Sequence, residues 1–451
     1  MFLYALKFLE RGVGTPARRC GAPSEFYPDE PYSDRLILTV QLCLFQLSRQ
    51  LSDPLLQLGS RRSGYTSSKM VQNLFQVRPD DLLFPKSNTA WLLEQAAIMK
   101  PYPVDIPQEC EPWEAIVCPK RNGICGSDMH IYLTAKCSRG PVNIPLILGH
   151  ECAGIVCAVG KNVKNVKPGD RVALEPGEAC LRCVDCKGGH YNQCEFMRFA
   201  SDGFNDGTLQ GFYRLPADLC HKLPDNMTLE EGALMEPLSV AVHAVNEIAK
   251  MRPGKNVIVF GAGPIGLVSV ALGAKRIIAV NTAQDRLDFA KKYAATDIHA
   301  AAPMEPGETR AEYSIRHAEI IREKFGLSAR GSTGIDYVFE CSGAEVCIQT
   351  GLRLLKHRGS FVQVGFSRSD MSVPWNLINV RELNVTGTFR YGAGVYEMAI
   401  DLVSRGLVDV KPLLTHRYPF SQTLEAFATS KNGKGPDGEV AIKVMIAGPD
   451  V

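Results

Sequence analysis

The sequence predicts an α/β plus β protein, with a β-barrel unit wrapped around a parallel, doubly wound sheet. Short β-like runs separated by Gly and Pro turns follow Cys125, which is typical of an all-β unit. After about residue 250 the pattern becomes strand, glycine turn, helix and strand, which favours a parallel sheet. A strand-like run returns at residues 440–445, so the parallel unit is predicted to be an insertion in the β unit.

Length and charge exclude several classes of protein. A chain of 451 residues exceeds one typical core, so we expect at least two domains. The 50 basic and 48 acidic residues nearly cancel, which argues against a nucleic-acid partner. The most apolar early run, residues 36–47, is too short to cross a bilayer, and the first residues do not resemble a secretory signal. We therefore expect a cytoplasmic protein with a small-molecule partner and no membrane partner.

The individual elements follow from local patterns. Residues 92–113 contain four closely spaced prolines between Pro101 and Pro112, and we expect them to be irregular. Thr228-Leu-Glu-Glu231 is a capping box that predicts a helix running to residue 249. The predicted strands are residues 114–118, 153–159, 171–174, 256–260, 276–280, 334–339, 360–364 and 440–445.

A glycine turn follows the strand at 256–260 and opens a predicted helix. Its sequence is Gly261-Ala-Gly263-Pro264-Ile265-Gly266, and this βαβ setting is what a dinucleotide fingerprint requires. Gly261 permits the tight turn, Gly263 lets the backbone approach a pyrophosphate, and Gly266 allows close helix–sheet packing. A bare pattern of this kind is often only a structural turn, but its position here favours dinucleotide binding at the helix N-terminus.

The residue expected to recognise the ribose is unusual. An acidic residue normally lies about 20 positions after the glycine turn and accepts hydrogen bonds from the ribose 2′-hydroxyl. Here Asn281 occupies that position, with Arg286 close behind. An amide can bond the hydroxyl but does not repel a 2′-phosphate. The sequence therefore favours NAD only moderately, and NADP is not excluded.

Four of the 15 cysteines form one short cluster. Their spacing, with two, two and seven intervening residues, matches a closed tetrahedral structural zinc site. Four unrelated thiols would rarely fall so close together. Such a site would order its lobe, because metal-binding free energy becomes folding free energy. The cysteines are Cys180, Cys183, Cys186 and Cys194.

A second group of metal-binding residue types is dispersed. Cys125 precedes a helix-like stretch, and His150 and Glu151 are adjacent. Each residue alone is most simply a core or surface residue, but together they offer the ligand types of an open catalytic zinc site. Glu236 lies where the β unit gives way to the nucleotide-binding unit, near a predicted cleft. The residues alone leave both interpretations open.

Many ordered motifs between residues 123 and 445 resemble the zinc-containing medium-chain dehydrogenase superfamily, and within it the sorbitol and xylitol dehydrogenases. They are GICGSD, LGHE, GDRVALEPG, the four-cysteine pattern, EGALMEPLSVAVHA, VFGAGPIGL, RLDFAKKY, ECSGAE and FRYG. The resemblance implies a GroES-like zinc domain (69–240 and 389–451), a Rossmann domain (241–388) and a homo-oligomer, either dimer or tetramer. Residues 1–68 fall outside it, and we expect a poorly ordered extension there.

The same resemblance implies roles for individual residues. Cys125, His150 and Glu151 would bind a catalytic zinc, and Glu236 would hold its water or join the ligands when substrate enters. A second cysteine stands at the position of Glu236 in classical alcohol dehydrogenases. The proton-relay positions would be Ser127 and His130, and the polyol-site positions Tyr132, Arg390 and Tyr391. The family usually carries Tyr directly after the relay histidine, whereas here Ile131 intervenes.

The implied activity is oxidation of a secondary hydroxyl of xylitol or sorbitol to the ketose, linked to NAD and dependent on zinc. An L-arabinitol 4-dehydrogenase would use the same site on another hydroxyl. A catalytically impaired dinucleotide-binding relative is a further alternative, to which the departure at Asn281 and a short helix after Gly266 would point. A zinc-free quinone reductase is disfavoured by the Cys/His/Glu set.

The cofactor prediction can be tested at Asn281. Asn281→Asp should raise the ratio of kcat/KM with NAD to kcat/KM with NADP, because a carboxylate accepts the 2′-hydroxyl and repels a 2′-phosphate. Steady-state kinetics with both dinucleotides measure this ratio. An unchanged ratio would mean that Asn281 does not contact the ribose.

Overall fold

The computed structural model describes residues 88–137, 139–261, 273–367 and 370–449. The extension predicted over 1–68 lies outside the described residues, as does the helix predicted after the glycine turn. The same holds for Gly263, Pro264, Ile265 and Gly266.

The strands of the described residues fall into two groups along the chain, with β1–β12 before residue 250 and β13–β20 after it. They are β1 (Asn88–Gln95), β2 (Ile98–Val104), β3 (Glu114–Gly123), β4 (Lys136–Cys137), β5 (Gly140–Pro141), β6 (Leu146–Ile147), β7 (Glu151–Val159), β8 (Arg171–Leu174), β9 (Gly177–Glu178), β10 (Arg198–Phe199), β11 (Tyr213–Pro216), β12 (Cys220–Lys222), β13 (Asn256–Phe260), β14 (Arg276–Asn281), β15 (Asp297–Ala300), β16 (Ile335–Glu340), β17 (Leu355–Gln363), β18 (Asn384–Gly387), β19 (Leu414–Tyr418) and β20 (Lys443–Ala447).

The helices of the described residues are short except for one of 16 residues. They are α1 (Gly126–Thr134), α2 (Val184–Lys187), α3 (Leu229–Ala233), α4 (Met235–Val242), α5 (Gln284–Tyr293), α6 (Arg310–Phe325), α7 (Glu345–Leu354), α8 (Trp375–Arg381), α9 (Val395–Ser404) and α10 (Thr423–Asn432). None of them combines the length and apolar character needed to cross a bilayer.

The β unit is built on a seven-stranded, mainly antiparallel sheet. Its strand order is β12-β8-β7-β3-β20-β19, and β11 also pairs with β3. Strands β19 and β20 come from the end of the chain, so the unit draws on both sides of the parallel sheet in sequence, as predicted. A smaller sheet, β2-β1-β6, accompanies it.

The second large sheet has six parallel strands in the order β15-β14-β13-β16-β17-β18. Numbered within the unit, this order is 3-2-1-4-5-6, which is the doubly wound arrangement. The prediction of a parallel sheet is confirmed. Ligands in such sheets bind beyond the carboxyl ends of the strands where the order reverses, here between β13 and β16. Gly261, with a φ of 97°, ends β13 at this edge.

Helix α4 joins the two units through one hydrophobic core. Leu238 and Ala241 of this helix belong to a buried cluster that also contains Ala173 of the β unit and Val259 of the parallel sheet. Because α4 packs against both sheets, a polar side chain at its start lies close to both of them. Glu236 is such a residue.

One local prediction was wrong. The proline-rich stretch forms a hairpin, in which Pro101 and Pro103 of β2 pair with Trp91 and Thr89 of β1. Since β2 is the edge of its sheet, its prolines need no partner on the outer side.

The helix predicted from the capping box to residue 249 is confirmed with one break. Thr228 and Glu231 form the capping box of α3, α4 follows, and a π-helical turn, His243–Ile248, continues it. The break lies between α3 and α4, because Pro237 cannot donate to, and clashes with, a carbonyl four residues earlier.

Candidate active site and metal centres

The four clustered cysteines converge in a small lobe. The sulfur atoms of Cys180, Cys183, Cys186 and Cys194 all lie within 4.8 Å of one another. Backbone N–H groups point at the sulfurs, as in the bond from Cys183 N to Cys180 Sγ of 3.3 Å. The N–H groups of Arg182 and Cys183 lower the pKa of Cys180 to about 7. Four convergent thiols with donors aimed at sulfur fit a metal that binds thiolates.

The dispersed group is assembled by the register of three strands. Gly123 of β3 pairs with Glu151 at the start of β7 on one side and with Met445 of β20 on the other. A Cβ on Gly123 would collide with Glu151 Oε2, so glycine leaves the space that this carboxylate occupies. Lys443, two residues before Met445, donates from Nζ to both oxygens of Glu151 at 2.6 Å. Both side chains are buried.

A second buried carboxylate orients His150. Asp128, in the first turn of α1, accepts hydrogen bonds from His150 Nδ1 at 3.2 Å and from Ser201 Oγ at 2.7 Å. Burial works to raise the pKa of Asp128, but His150 and the other donors outweigh it and leave that pKa lowered. Because Nδ1 faces Asp128, Nε2 is the nitrogen left to bind a ligand. Metal-binding histidines are commonly held by a carboxylate in this way.

Cys125 caps the same helix and lies next to His150. Its backbone N–H donates to Asp128 Oδ2 at 3.2 Å, which fixes the first turn. Burial alone would lower the pKa of His150, yet Asp128 and Cys125 stabilise the charged ring and raise this pKa well above its usual value. The Cys125 thiol therefore lies beside the His150 imidazole, and Asp128 and Cys125 together favour a positive charge on that ring.

Glu236 reaches the group from the start of α4. Its carboxyl is buried, and burial raises its pKa to about 7. Its charged neighbours are His150, Glu151 and Lys443, with Tyr391 also in contact. The structure therefore brings Glu236 together with His150 and Glu151, although β7 and α4 are far apart in sequence. These side chains are of the types that bind a divalent cation. Among the described residues, however, only the four clustered cysteines bring three or more such ligand atoms within 4.8 Å of one another.

Arg390 and Tyr391 form one wall of this place. The Arg390 guanidinium lies 3.8 Å from the centre of the Phe199 ring, and that ring lies 5.6 Å from the ring of His150. The buried Tyr391 hydroxyl has no partner at good hydrogen-bonding geometry among the described residues, but it lies beside the Glu236 carboxyl. After burial, Glu236 is the charged group that most raises the pKa of Tyr391.

The residues predicted on α1 separate into two sets. Ser127 and His130 are three residues apart and so share a helix face; Ser127 is half-buried and His130 is exposed. Tyr132 instead donates from its hydroxyl to Ala97 O at 3.2 Å, and its ring packs 5.0 Å from that of Phe427. Its contacts are thus with the β1–β2 turn and α10, not with Glu236.

Of the predicted dinucleotide residues, Gly261 and Asn281 lie at the carboxyl edge of the parallel sheet, and Arg286 lies in α5. Gly261 N donates to Val280 O at 3.0 Å, and Asn281, at the end of β14, accepts at Oδ1 from the Ala283 N–H at 2.9 Å. The Arg286 guanidinium donates to Ala441 O at 3.0 Å. Arg286 is therefore engaged with the segment before β20, and its role toward a dinucleotide stays a prediction.

Three residues of the site were missed by the sequence analysis. Asp128 lies inside the motif around Cys125, and its spacing from a helix start was a usable signal. Lys443 interrupts an apolar run of β20, and a charge inside a buried strand is itself a signal for a partner. Phe199 had no signal, since an aromatic residue in a short strand is most often core.

Comparison with known proteins places both units. Residues 111–225 match the alcohol dehydrogenase GroES-like domain, and residues 265–405 match the zinc-binding dehydrogenase family. D-xylulose reductase A of Aspergillus niger is 43% identical over 367 residues, covering 80% of this chain and 97% of that protein. The Aspergillus oryzae protein of the same name is 43% identical, covering 81% and 98%.

Solved structures agree with this assignment. An Escherichia coli oxidoreductase/dehydrogenase of unknown specificity matches with a TM-score of 0.69 and 32% identity, covering 81% of this chain and 100% of that one. A zinc-binding dehydrogenase of Sinorhizobium meliloti bound to NADP matches with a TM-score of 0.68 and 26% identity, covering 80% and 100%. The chain is therefore an oxidoreductase of the zinc-binding medium-chain dehydrogenase family, with a GroES-like and a Rossmann domain.

Proposed function

We propose that the protein oxidises a secondary hydroxyl of a polyol such as xylitol or sorbitol to the ketose, and reduces the ketose in the reverse direction. The observation that carries this proposal is the wall formed by Arg390 and Tyr391 beside Glu236 and His150. A polyol offers several hydroxyls, and this wall offers a guanidinium and a buried phenol beside Glu236 to receive them. The D-xylulose reductases that resemble the chain support the same substrate class.

Two zinc sites are part of this proposal. Cys125, His150 and Glu151 would hold a catalytic zinc, with Glu236 holding its water or joining the ligands when substrate enters. The four cysteines would hold a structural zinc. When bound, zinc supplies a Lewis acid that lowers the pKa of the substrate hydroxyl. Asp128 holds the His150 ring in one orientation, and Lys443 fixes the Glu151 carboxylate. Because both side chains are already oriented, they would lose less conformational entropy when a metal binds.

The proton released from the hydroxyl would leave along one face of α1. Ser127 is half-buried near Cys125, and His130, one turn further, is exposed. A hydroxyl followed by an imidazole can pass a proton from a half-buried position to water.

The dinucleotide would lie at the carboxyl ends of β13 and β14, with NAD weakly preferred through Asn281. We also propose the domain division 69–240 with 389–451, and 241–388. The first family match, 111–225, lies inside the first of these, and the second, 265–405, lies mostly inside 241–388. A reducing compartment such as the cytoplasm suits the chain, because the 13 described cysteines are all free.

A homo-oligomer is the assembly we propose. Strand β18 is the edge of the parallel sheet in the described pairings, and Val385 on it is 39% exposed. An uncovered edge strand favours pairing with the same strand of a second copy about a twofold axis.

A panel of polyols tests the proposed function. Purified protein with a measured zinc content is assayed with xylitol, sorbitol and L-arabinitol, each with NAD and NADP. Oxidation of xylitol or sorbitol at the highest kcat/KM supports the proposal. A higher kcat/KM for L-arabinitol would assign the L-arabinitol activity instead, and no turnover by the zinc-loaded protein would reject a polyol dehydrogenase.

The structural metal site predicts a loss of both metal and stability in Cys183→Ser. Removing one of four thiolates should release one zinc per chain and lower the melting temperature, because a structural site contributes folding free energy. Elemental analysis and thermal unfolding measure the two effects. Cys110→Ser is the matched control, since Cys110 lies outside the cluster. One metal or none in active wild-type protein would contradict the two-site proposal.

The two acidic residues of the site should behave differently. Glu151→Gln should weaken zinc binding, because an amide is a poor ligand for this cation. It should also cost about 3–5 kcal/mol of stability, because Lys443 then lies buried without its partner. Glu236→Gln should retain most zinc and lose about 10- to 100-fold in kcat, as outer partners of metal sites do.

Zinc content, melting temperature and turnover of the two variants decide between these roles. Equal zinc loss in both variants would make Glu236 an ordinary ligand. Full activity in either variant would remove that residue from the site.

A further inference from the structure

The backbone of Arg390 is held in a conformation that needs support. Its φ is 55°, in the left-handed region that residues other than glycine and asparagine rarely adopt. The next residue is Tyr391, so this turn decides where both the guanidinium and the phenol point. Such a strained backbone conformation persists only when contacts from the surrounding structure hold it in place.

One side chain holds the turn directly. Asn192 donates from Nδ2 to the carbonyl oxygen of Phe389 at 2.9 Å, across 197 residues of sequence. Asn192 is 8% exposed, so this amide is shielded from water and its hydrogen bond does not compete with solvent. With Phe389 fixed, the Arg390 guanidinium lies 4.6 Å from the Phe389 ring and 3.8 Å from the Phe199 ring.

Asn192 belongs to the four-cysteine lobe. It lies in a short 3₁₀ turn, Tyr191–Gln193, and Cys194 N donates to Tyr191 O at 3.0 Å directly after it. Cys194 is one of the four convergent thiols. The position of the Asn192 amide is therefore set by the same residues that close the lobe.

A second route joins the same turn of the lobe to Tyr391. The Tyr191 hydroxyl donates to Glu175, and the other oxygen of Glu175 pairs with His221 Nε2 at 2.8 Å. The His221 ring stacks on Tyr396 with centroids 4.7 Å apart, and Tyr396 lies edge-on to Tyr391 at 5.2 Å. Two neighbouring residues of the lobe thus contact the turn through independent chains of side chains.

We propose that Asn192 is a positioning residue for polyol recognition, through which the four-cysteine lobe holds Arg390 and Tyr391 in their substrate-binding conformation. The role in recognition rests on the proposed polyol function, whereas the positioning itself does not. Asn192 touches neither Cys125 nor His150 in the described contacts. Its loss should therefore affect how tightly polyol binds and leave the metal-binding residues in place.

Two variants test the proposal. Asn192→Ala removes the amide, and Asn192→Asp keeps its size but removes the Nδ2–H donor. The control is Asn165→Ala, since Asn165 Nδ2 makes the same type of bond, to Ala217 O at 2.6 Å, elsewhere in the β unit. Zinc content shows whether the lobe remains closed in each variant.

Kinetics should show a split between KM and kcat. In both Asn192 variants the KM for xylitol should rise about five- to tenfold, as expected for one lost hydrogen bond, with kcat and the Kd for NADH within about twofold of wild type. Asn192→Ala in an Arg390→Ala background should raise KM no further, because the two residues act as one unit. The control should match wild type.

Hydrogen exchange gives a result that needs no substrate. Amides of residues 388–392 should exchange faster in both Asn192 variants and not in Asn165→Ala. If wild type oxidises no polyol, the proposed function fails, and faster exchange still supports positioning by Asn192. Unchanged exchange, an unchanged KM, or an equal and additional rise in the Arg390→Ala background would overturn the proposal.

Discussion

The ion pair between Lys443 and Glu151 is the contact on which the arrangement of the site depends. Both side chains are buried, and each carboxylate oxygen of Glu151 accepts a hydrogen bond from Lys443 Nζ at 2.6 Å. Burying a charged group removes its hydration, and this loss is offset only when the group is paired and hydrogen-bonded. Removing one partner of a buried pair therefore costs about 3–5 kcal/mol of stability. The pair therefore fixes β20 against β3 and β7 in one register. The same register places His150, which precedes Glu151 in sequence, near Glu236 at the start of α4.

The remaining charges of the site can be understood from this pair. Asp128 is satisfied by His150 and Ser201, and Glu151 is satisfied by Lys443, so two of the three buried carboxyl groups have dedicated donors. Glu236 is the third, and its pKa of about 7 reflects burial that its neighbours only partly offset. A divalent cation beside it would favour the ionised form and lower that pKa. Of the three carboxyl groups, Glu236 is therefore the one that a bound cation would stabilise most.

Sequence reasoning succeeded where the relevant residues are neighbours in the chain. The parallel sheet followed from local alternation, and the four cysteines from one short pattern. It failed where strand register or a distant carbonyl decides the contact. No local pattern shows that Lys443 meets Glu151, that Asn192 meets Phe389, or that Arg286 bonds Ala441. The hairpin at β1 and β2 was missed for a related reason, because whether prolines are tolerated depends on which strand forms the edge.

Sequence separation also sets the order in which the four-cysteine lobe and the site around Glu151 can form during synthesis. Cys180 and Cys194 are 14 positions apart, so the lobe can close soon after its last cysteine leaves the ribosome. Glu151 must wait for Lys443, which is 292 positions later. Domains generally fold from the N-terminus as they are made. The four-cysteine lobe can therefore form long before Glu151 meets Lys443, and the site around Glu151 can be completed only when nearly the whole chain has been made.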